Sequence, residues 1–322
     1  MKSAVKVWII IAVCLILIGL IIFGCVMAML EWDFAKLSTV KYETNTYEII
    51  EDFDNISIST DTAQVIFLPS EDSSAKVICY EEENSKHSVT VKDGKLIIEI
   101  VDTRKWFNLV GISVGNSPKL TVYLPKSEYA SLTVNGSTGS VDIPNDFKLG
   151  TIDVSLSTGY VRCQASTAGL LKIRTSTGDI NIEGVSAEML DLSVSTGKVT
   201  LRKAACSGDI KIKVSTGNAV LTDVQCKTLV SSGSTGRITL TNVMVSGRMS
   251  IERDTGNVIF DRCDAAEIFV ETDTGSVKGI LLSEKIFITQ TDTGSVRVPS
   301  SSSGGRCEIT TDTGDINIEI VS

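Results

Sequence analysis

Histidine is almost missing from this sequence: His87, in "ENSKHSVTV", is the only one. A multi-histidine metal site is therefore excluded, and a histidine-based catalytic triad has a single candidate. Its setting predicts an ordinary residue at a strand edge. Positive charge is also short, with 30 Lys and Arg against 39 Asp and Glu, a net charge of −9. The basic residues are scattered, so the electrostatic footprint of a nucleic-acid binder is lacking. Aromatic residues make up 6% of the chain, few for stacking sugars. The eight cysteines include no Cys-x-x-Cys pair. Cys14 and Cys25 fall in an apolar run, and Cys79, Cys163, Cys206, Cys226, Cys263 and Cys307 are too dispersed for a disulfide framework, which a chain of this length does not need. No cofactor motif is present.

What the chain does have begins at its N-terminus. Residues 7–30, "VWIIIAVCLILIGLIIFGCVMAML", carry no charge. As a helix they reach about 36 Å, enough to cross a ~30 Å hydrocarbon core with some tilt. Lys2 and Lys6 precede the run and Glu31 and Asp33 follow it. The positive-inside rule then keeps residues 1–6 cytoplasmic and exports the rest as a single-pass cell-membrane protein. The run is too long for a cleaved signal peptide. "IFGC", ending at Cys25, resembles a lipoprotein box, but the residues after it stay apolar. An uncleaved anchor is the expectation, with lipidation of Cys25 as the rival.

Beyond the anchor the sequence repeats. A [Ser/Asp]-Thr-Gly triplet ends at Gly139, Gly159, Gly178, Gly197, Gly217, Gly236, Gly256, Gly275, Gly294 and Gly314, always 19 or 20 residues apart. Apolar residues keep the same frame. They stand seven and five positions before each glycine (Leu190 and Leu192), two and four after it (Val199 and Leu201), and again at plus seven (Val185, Val224, Val243, Cys263, Leu282). Alternation with polar residues is the mark of half-buried strands. A unit of strand, turn, strand, turn cannot bury its apolar face alone, but stacked coils can. The pattern predicts an all-β fold: a parallel β-solenoid (β-helix) of about ten coils, preceded by one transmembrane helix.

The Asp-Thr-Gly copies, such as Asp292 in "FITQTDTGSV", have the local sequence of an aspartic protease. Six of the ten copies carry Ser in that place, and a dyad needs two carboxylates facing across a cleft, not a column along a rod. The triplet reads as a corner: Gly supplies an unusual backbone conformation, and Ser or Asp can bond the turn's own amides. Asp254, Asp273, Asp292 and Asp312 would stack outward in the last four coils, where neighbours repel by about 1 kcal/mol. Turn capping is the main reading of this column, and Ca²⁺ binding the sharper alternative. Thr272/Thr274, Thr291/Thr293 and Thr311/Thr313 share the inward parity, which places them inside the corner and not on an ice-binding face. Arg253 also has inward parity, which a half-exposed corner would accommodate. Cys206 and Cys226 lie nine residues after successive corner glycines, close enough to stack, and are expected as free thiols.

Residues 31–46 read as a linker and 47–130 as a β-rich N-terminal cap, ahead of the repeat domain 131–322. "ISISTDTAQVIF" already fits the repeat, with Asp61-Thr62-Ala63 at the triplet. "DTRKWFNLVGI" sets Arg104 and Lys105 beside Trp106 and Phe107, a plug over the first coil or a contact with lipid headgroups. After Gly314, Ile316, Ile318 and Ile320 keep alternating with no cap behind them. They predict an exposed C-terminal edge for self-association or capture of a protein partner.

The anchor, "DFAKLSTVKYETNTYEI", "DTRKWF", "LTVYLP" and the serial "STGDI" turns together resemble the putative-adhesin family, bacterial β-strand-repeat domains of unknown function. The resemblance covers essentially the whole chain. It implies a membrane-attached extracytoplasmic solenoid with an adhesive or envelope-stress role, and it brings no catalytic residues. A non-catalytic surface interaction protein is therefore the expected function. The alternative, a polysaccharide-acting enzyme on a solenoid, needs acid and base groups in a groove walled by long loops, and coils of 19–20 residues leave little length for them.

Overall fold

The computed structural model describes residues 2–33, 40–71, 74–102 and 117–321. Helix Lys2–Met29 comes first. It is apolar over Val5–Met29, and apart from Met27 near its end its side chains are not buried against protein, as in a membrane anchor or a signal sequence. Among the described residues after it, the regular structure is all β, 24 strands joined in one hydrogen-bonded system. The linker residues 34–39 and the Arg104–Phe107 loop lie outside the described residues.

The middle of the rod shows how the repeat folds. Strand Met189–Thr196 pairs in parallel with Asp209–Thr216, setting Leu190 on Ile210, Leu192 on Ile212 and Val194 on Val214. On the next side Val199 stacks on Ala219 and Leu201 on Leu221. Like residues thus pile into columns, and all of those named are buried. At plus six from the corner glycine a residue enters positive φ: Gly184 (70°), Lys203 (50°), Asp223 (55°), Asn242 (52°) and Arg262 (51°). That single left-handed residue interrupts the alternation and turns the next side chain inward. Val185, Ala204, Val224, Val243 and Cys263 are accordingly buried, and they open a third face of the coil.

The glycine corner is closed by contact between coils. Gly197 donates its N–H to Thr216 O at 2.9 Å, and Gly217 to Thr235 O at 2.8 Å. A Cβ on Gly197 would lie 1.9 Å from Gly178 O, and one on Gly217 1.8 Å from Gly197 O. Both glycines also have φ near 140°, at 146° and 135°, a region hostile to other residues. The cap of the corner differs from expectation. It comes from the residue after the glycine, not from the Ser or Asp that starts the triplet. Asp179 Oδ1 accepts from Lys198 N, Asn218 Oδ1 from Arg237 N, and Asn257 Oδ1 from Ser276 N, each to the next coil. A side chain at that place reaches the neighbouring coil's free amide, whereas the triplet's first residue points into solvent. Thr272 and Thr311 face inward as expected, but Thr274 and Thr313 are exposed because the corner reverses the parity.

Arg253 is not half exposed; it is 3% exposed. Gly233 makes room for it, since a Cβ there would lie 2.3 Å from Arg253 Nη1. The guanidinium donates to Ser231 Oγ at 2.7 Å. Burial holds its pKa down at about 10. His87 is likewise interior, 4% exposed within the N-terminal cap.

Spatial order departs from sequence order at both ends. The first coil, Asn55–Thr62 with Gln64–Pro69, lies against Glu128–Ile143 on one side. On its other side it carries Lys95–Asp102 and Lys119–Leu124, which come later in the chain. Antiparallel strands then cover this end: Ala75–Glu82 on Lys119–Leu124, Tyr42–Ile49 beyond it, and Ser85–Lys92 on Lys95–Asp102. At the far end, Gly305–Thr313 sits between Val258–Thr274 and Lys285–Thr293. Ile316–Ile320 likewise pairs with Val277–Leu281 and Val296–Arg297. The Gly314 coil is thus slotted between those of Gly275 and Gly294, and Gly275 donates to Thr313 O while Gly314 donates to Thr293 O.

Ile316, Ile318 and Ile320 are therefore not an open edge: Ile316 and Ile318 are fully buried and Ile320 packs against the core. The inward residues explain the exchange. The Gly314 coil offers Cys307, Ile309, Ile316 and Ile318, whereas the Gly294 coil offers Phe287, Thr289, Val296 and Val298. Burying an isoleucine contributes roughly 1.5–3 kcal/mol, so the greasier coil belongs inside and the threonine-bearing one at the end.

Two measurements check this arrangement. Gly197→Ala is expected to destabilise by on the order of 3 kcal/mol, against less than about 0.5 kcal/mol for exposed Ser195→Ala, as read from chemical unfolding. For the slotted coil, cysteines at 271 and 310, which are register partners, should oxidise to a disulfide. Cysteines at 271 and 290, neighbours only if the coils stacked in sequence order, should not.

Candidate functional site

The exposed end of the rod is the place where the fold leaves surface unused. Strand Lys285–Thr293 pairs along one edge with Gly305–Thr313, and no other strand among the described residues pairs with it. It begins in "EKIFITQ", where isoleucine occupies the outward parity as well as phenylalanine the inward one. Ile286 is 44% exposed and Ile288 48%. Register sets Ile286 beside Arg306, and Ile288 beside Glu308, which in turn sits beside Phe269. The Arg248 guanidinium stacks over the Phe269 ring at 3.8 Å, with Arg306 5.5 Å from it on the same ring. Two exposed isoleucines, a ring and two guanidiniums thus share one outer face, beside an unpaired strand edge. Aromatic and arginine side chains of this kind anchor protein interfaces. Its sequence signal is "KIFITQ", a run apolar on both parities, a pattern that "EIFV" and "NVIF" in earlier coils share.

An open groove of about 960 Å³ runs along an adjacent side, lined by Cys206, Cys226, Asp264, Ser283, Lys285 and Gly305 among others. Two of its charged groups, Asp264 and Lys285, are engaged with each other. Lys285 Nζ lies 2.6 Å from Asp264 Oδ1, and Ser283 Oγ donates to the same oxygen at 2.9 Å. Cys206 and Cys226 are free thiols. The Cys206 thiol donates to Glu188 O at 3.0 Å. Burial first, then the neighbouring Cys206, pushes the Cys226 thiol up to about 12. Neither thiol is therefore an activated nucleophile.

The acidic column is exposed, in the spatial order Asp254, Asp273, Asp312, Asp292 that the slotted coil imposes. Its carboxylates do not converge. Among the described residues the one group of three or more His, Cys, Asp or Glu ligand atoms within 4.8 Å of each other lies in the N-terminal cap. Asp315, just past the last corner glycine, accepts from both the amide and the hydroxyl of Ser295. Those bonds hold its carboxyl below the usual range.

Comparison with known proteins agrees with this architecture. The family profile described as Toastrack DUF4097 matches residues 53–212 and again 203–322. Among solved structures, one of a putative adhesin from Parabacteroides distasonis superposes with a TM-score of 0.50 at 11% identity, covering 75% of this chain and 98% of its own. A putative adhesin from Bacteroides fragilis gives 0.37 at 14% identity over 87% and 97% of the two chains. A putative cell adhesion protein from Clostridium sporogenes gives 0.24 at 12% over 88% and 100%. A search of curated protein sequences finds no match. With its profile matched twice, over all of the chain from residue 53 onward, the protein belongs to the Toastrack DUF4097 family.

Proposed function

We propose that the protein is a membrane-anchored, extracytoplasmic and non-catalytic interaction module, of the adhesin or envelope-stress-accessory kind, that engages its partner through the end of the rod. The observation that carries this reading is the patch of Ile286, Ile288, Phe269, Arg248 and Arg306 beside the unpaired edge of Lys285–Thr293. A partner strand, or a second copy of the chain, can add to that edge by main-chain hydrogen bonds while its side chains cover the isoleucines. The helix supports attachment: its most apolar 18-residue stretch has a mean hydropathy of 3.3, and Lys2 and Lys6 ahead of it with Glu31 and Asp33 behind it give the charge order of an exported C-terminal domain. A non-catalytic role is supported by the groove, where Asp264 and Lys285 neutralise each other.

An impermeant protease added to intact, wall-stripped cells is expected to degrade the solenoid, and protection would overturn the exported topology. Chemical crosslinking of the full chain in cells tests the patch separately. Ile286→Lys with Ile288→Lys should reduce crosslinked species at least tenfold without altering the melting temperature. Unchanged crosslinking in a folded double variant would remove the rod end as the interaction site.

A further inference from the structure

The N-terminal cap buries a group of polar side chains that neither the repeat nor the proposed interaction surface uses. Cys79 and Glu81 lie two residues apart on strand Ala75–Glu82, so both point inward. The chain reverses after Glu82 and returns as Ser85–Lys92, which brings His87 to the same place. Cys79 is 1% exposed, Glu81 1% and His87 4%. The thiol sulphur, a carboxylate oxygen and an imidazole nitrogen all lie within 4.8 Å of one another.

We propose that Cys79, Glu81 and His87 form a binding site for a zinc-class divalent cation, with a water in the fourth tetrahedral position. The donor set is the first reason. Thiolate, imidazole and carboxylate together suit Zn²⁺, whereas Ca²⁺ and Mg²⁺ take oxygen ligands. Charge is the second. With a neutral imidazole, the cluster buries the single negative charge of Glu81. A divalent cation that displaces the Cys79 proton adds two positive charges and one thiolate, which brings the buried site to zero.

The surrounding hydrogen bonds are the third reason, because they hold the two oriented ligands from behind. Glu81 Oε2 and His87 Nδ1 face each other at 2.7 Å, the pair of atoms that a cation would separate. The opposite atom of each has its own partner. Glu81 Oε1 accepts from Asn45 Nδ2 at 2.8 Å, and His87 Nε2 lies 3.0 Å from Thr60 Oγ1. With Nδ1 on the metal, Nε2 carries the ring proton and donates it to Thr60. The His87 carbonyl also accepts from Tyr47 OH at 3.0 Å. Outer partners of this kind fix the tautomer and ring plane of a metal-bound histidine. The cation would join three strands that cover the first coil: Tyr42–Ile49 through Asn45, Ala75–Glu82, and Ser85–Lys92.

The test uses the full chain in detergent, stripped of metal and kept reduced. Titration with Co²⁺ should saturate at one equivalent and give a thiolate-to-cobalt charge-transfer band, and Zn²⁺ should displace it. Cys79→Ser should abolish the band, while Cys206→Ser, at a buried thiol elsewhere, should leave it intact. Thr60→Ala, which touches no ligand atom bound to the metal, should weaken Zn²⁺ affinity about 10–100-fold. Zn²⁺ should also raise the melting temperature of the unmodified chain. Absence of a stoichiometric thiolate band in that chain overturns the proposal whether or not the variants fold, and so does a band that survives Cys79→Ser.

Discussion

The structure depends on one contact repeated along its length: the α-carbon of a corner glycine set directly against the carbonyl of the corner before it. With Cβ positions 1.7–2.1 Å from that oxygen at the triplet glycines, no other residue allows the coils to approach to hydrogen-bonding distance there. Once the corners are in register, so are the strands on either side, because each inward residue has a counterpart one coil away. The apolar columns then form as a consequence. The Asp179, Asn218, Asn257 and Asp315 side chains tie successive corners together on the outside. A rod built in this way gains stability coil by coil, from nearest neighbours only.

Such a rod has a problem at its ends, where the last strands expose an apolar face and unpaired amides. Here the solution is the same at both. The coil that comes first in sequence and the coil that comes last are each placed one layer in, and a neighbouring segment covers them. At the N-terminal end antiparallel strands continue the cover, and their interior contains the His87 cluster. At the other end the covering coil is less apolar inside and keeps Ile286 and Ile288 outside. Protection of the last coil and exposure of Ile286 and Ile288 are thus two results of one exchange.

The repeat was legible because period and parity are local properties of the sequence. The ten glycines, the paired apolar positions and the inward residue at plus seven appear in the structure where the frame puts them, apart from Val296, exposed in the end coil, and Leu282, whose neighbour Leu281 takes the buried place. Order in space was not legible. The Gly294 and Gly314 coils carry the same frame, and only their inward residues, Thr289 against Ile309, differ enough to rank them. Two buried polar groups escaped for a related reason. Room for Arg253 is supplied by Gly233, a residue one coil away. His87 meets Glu81 and Cys79 across a hairpin that turns their strands together, while Thr60 reaches His87 and Asn45 reaches Glu81 from strands far apart in sequence. In "ICYEEENSKHSV" the three residues lie close together, but their shared side of the hairpin appears only once the register is known.

The tucked ends can be tested directly by amide hydrogen exchange of the full chain, followed strand by strand. Amides in 307–320 should exchange as slowly as those of the mid-rod coil at 190–206, because they are paired on both sides. Amides in 286–298 should exchange first, because that coil has a neighbour on one side only. Fast exchange at 307–320 together with protection at 286–298 would contradict the slotted coil, and with it the exposed edge of Lys285–Thr293.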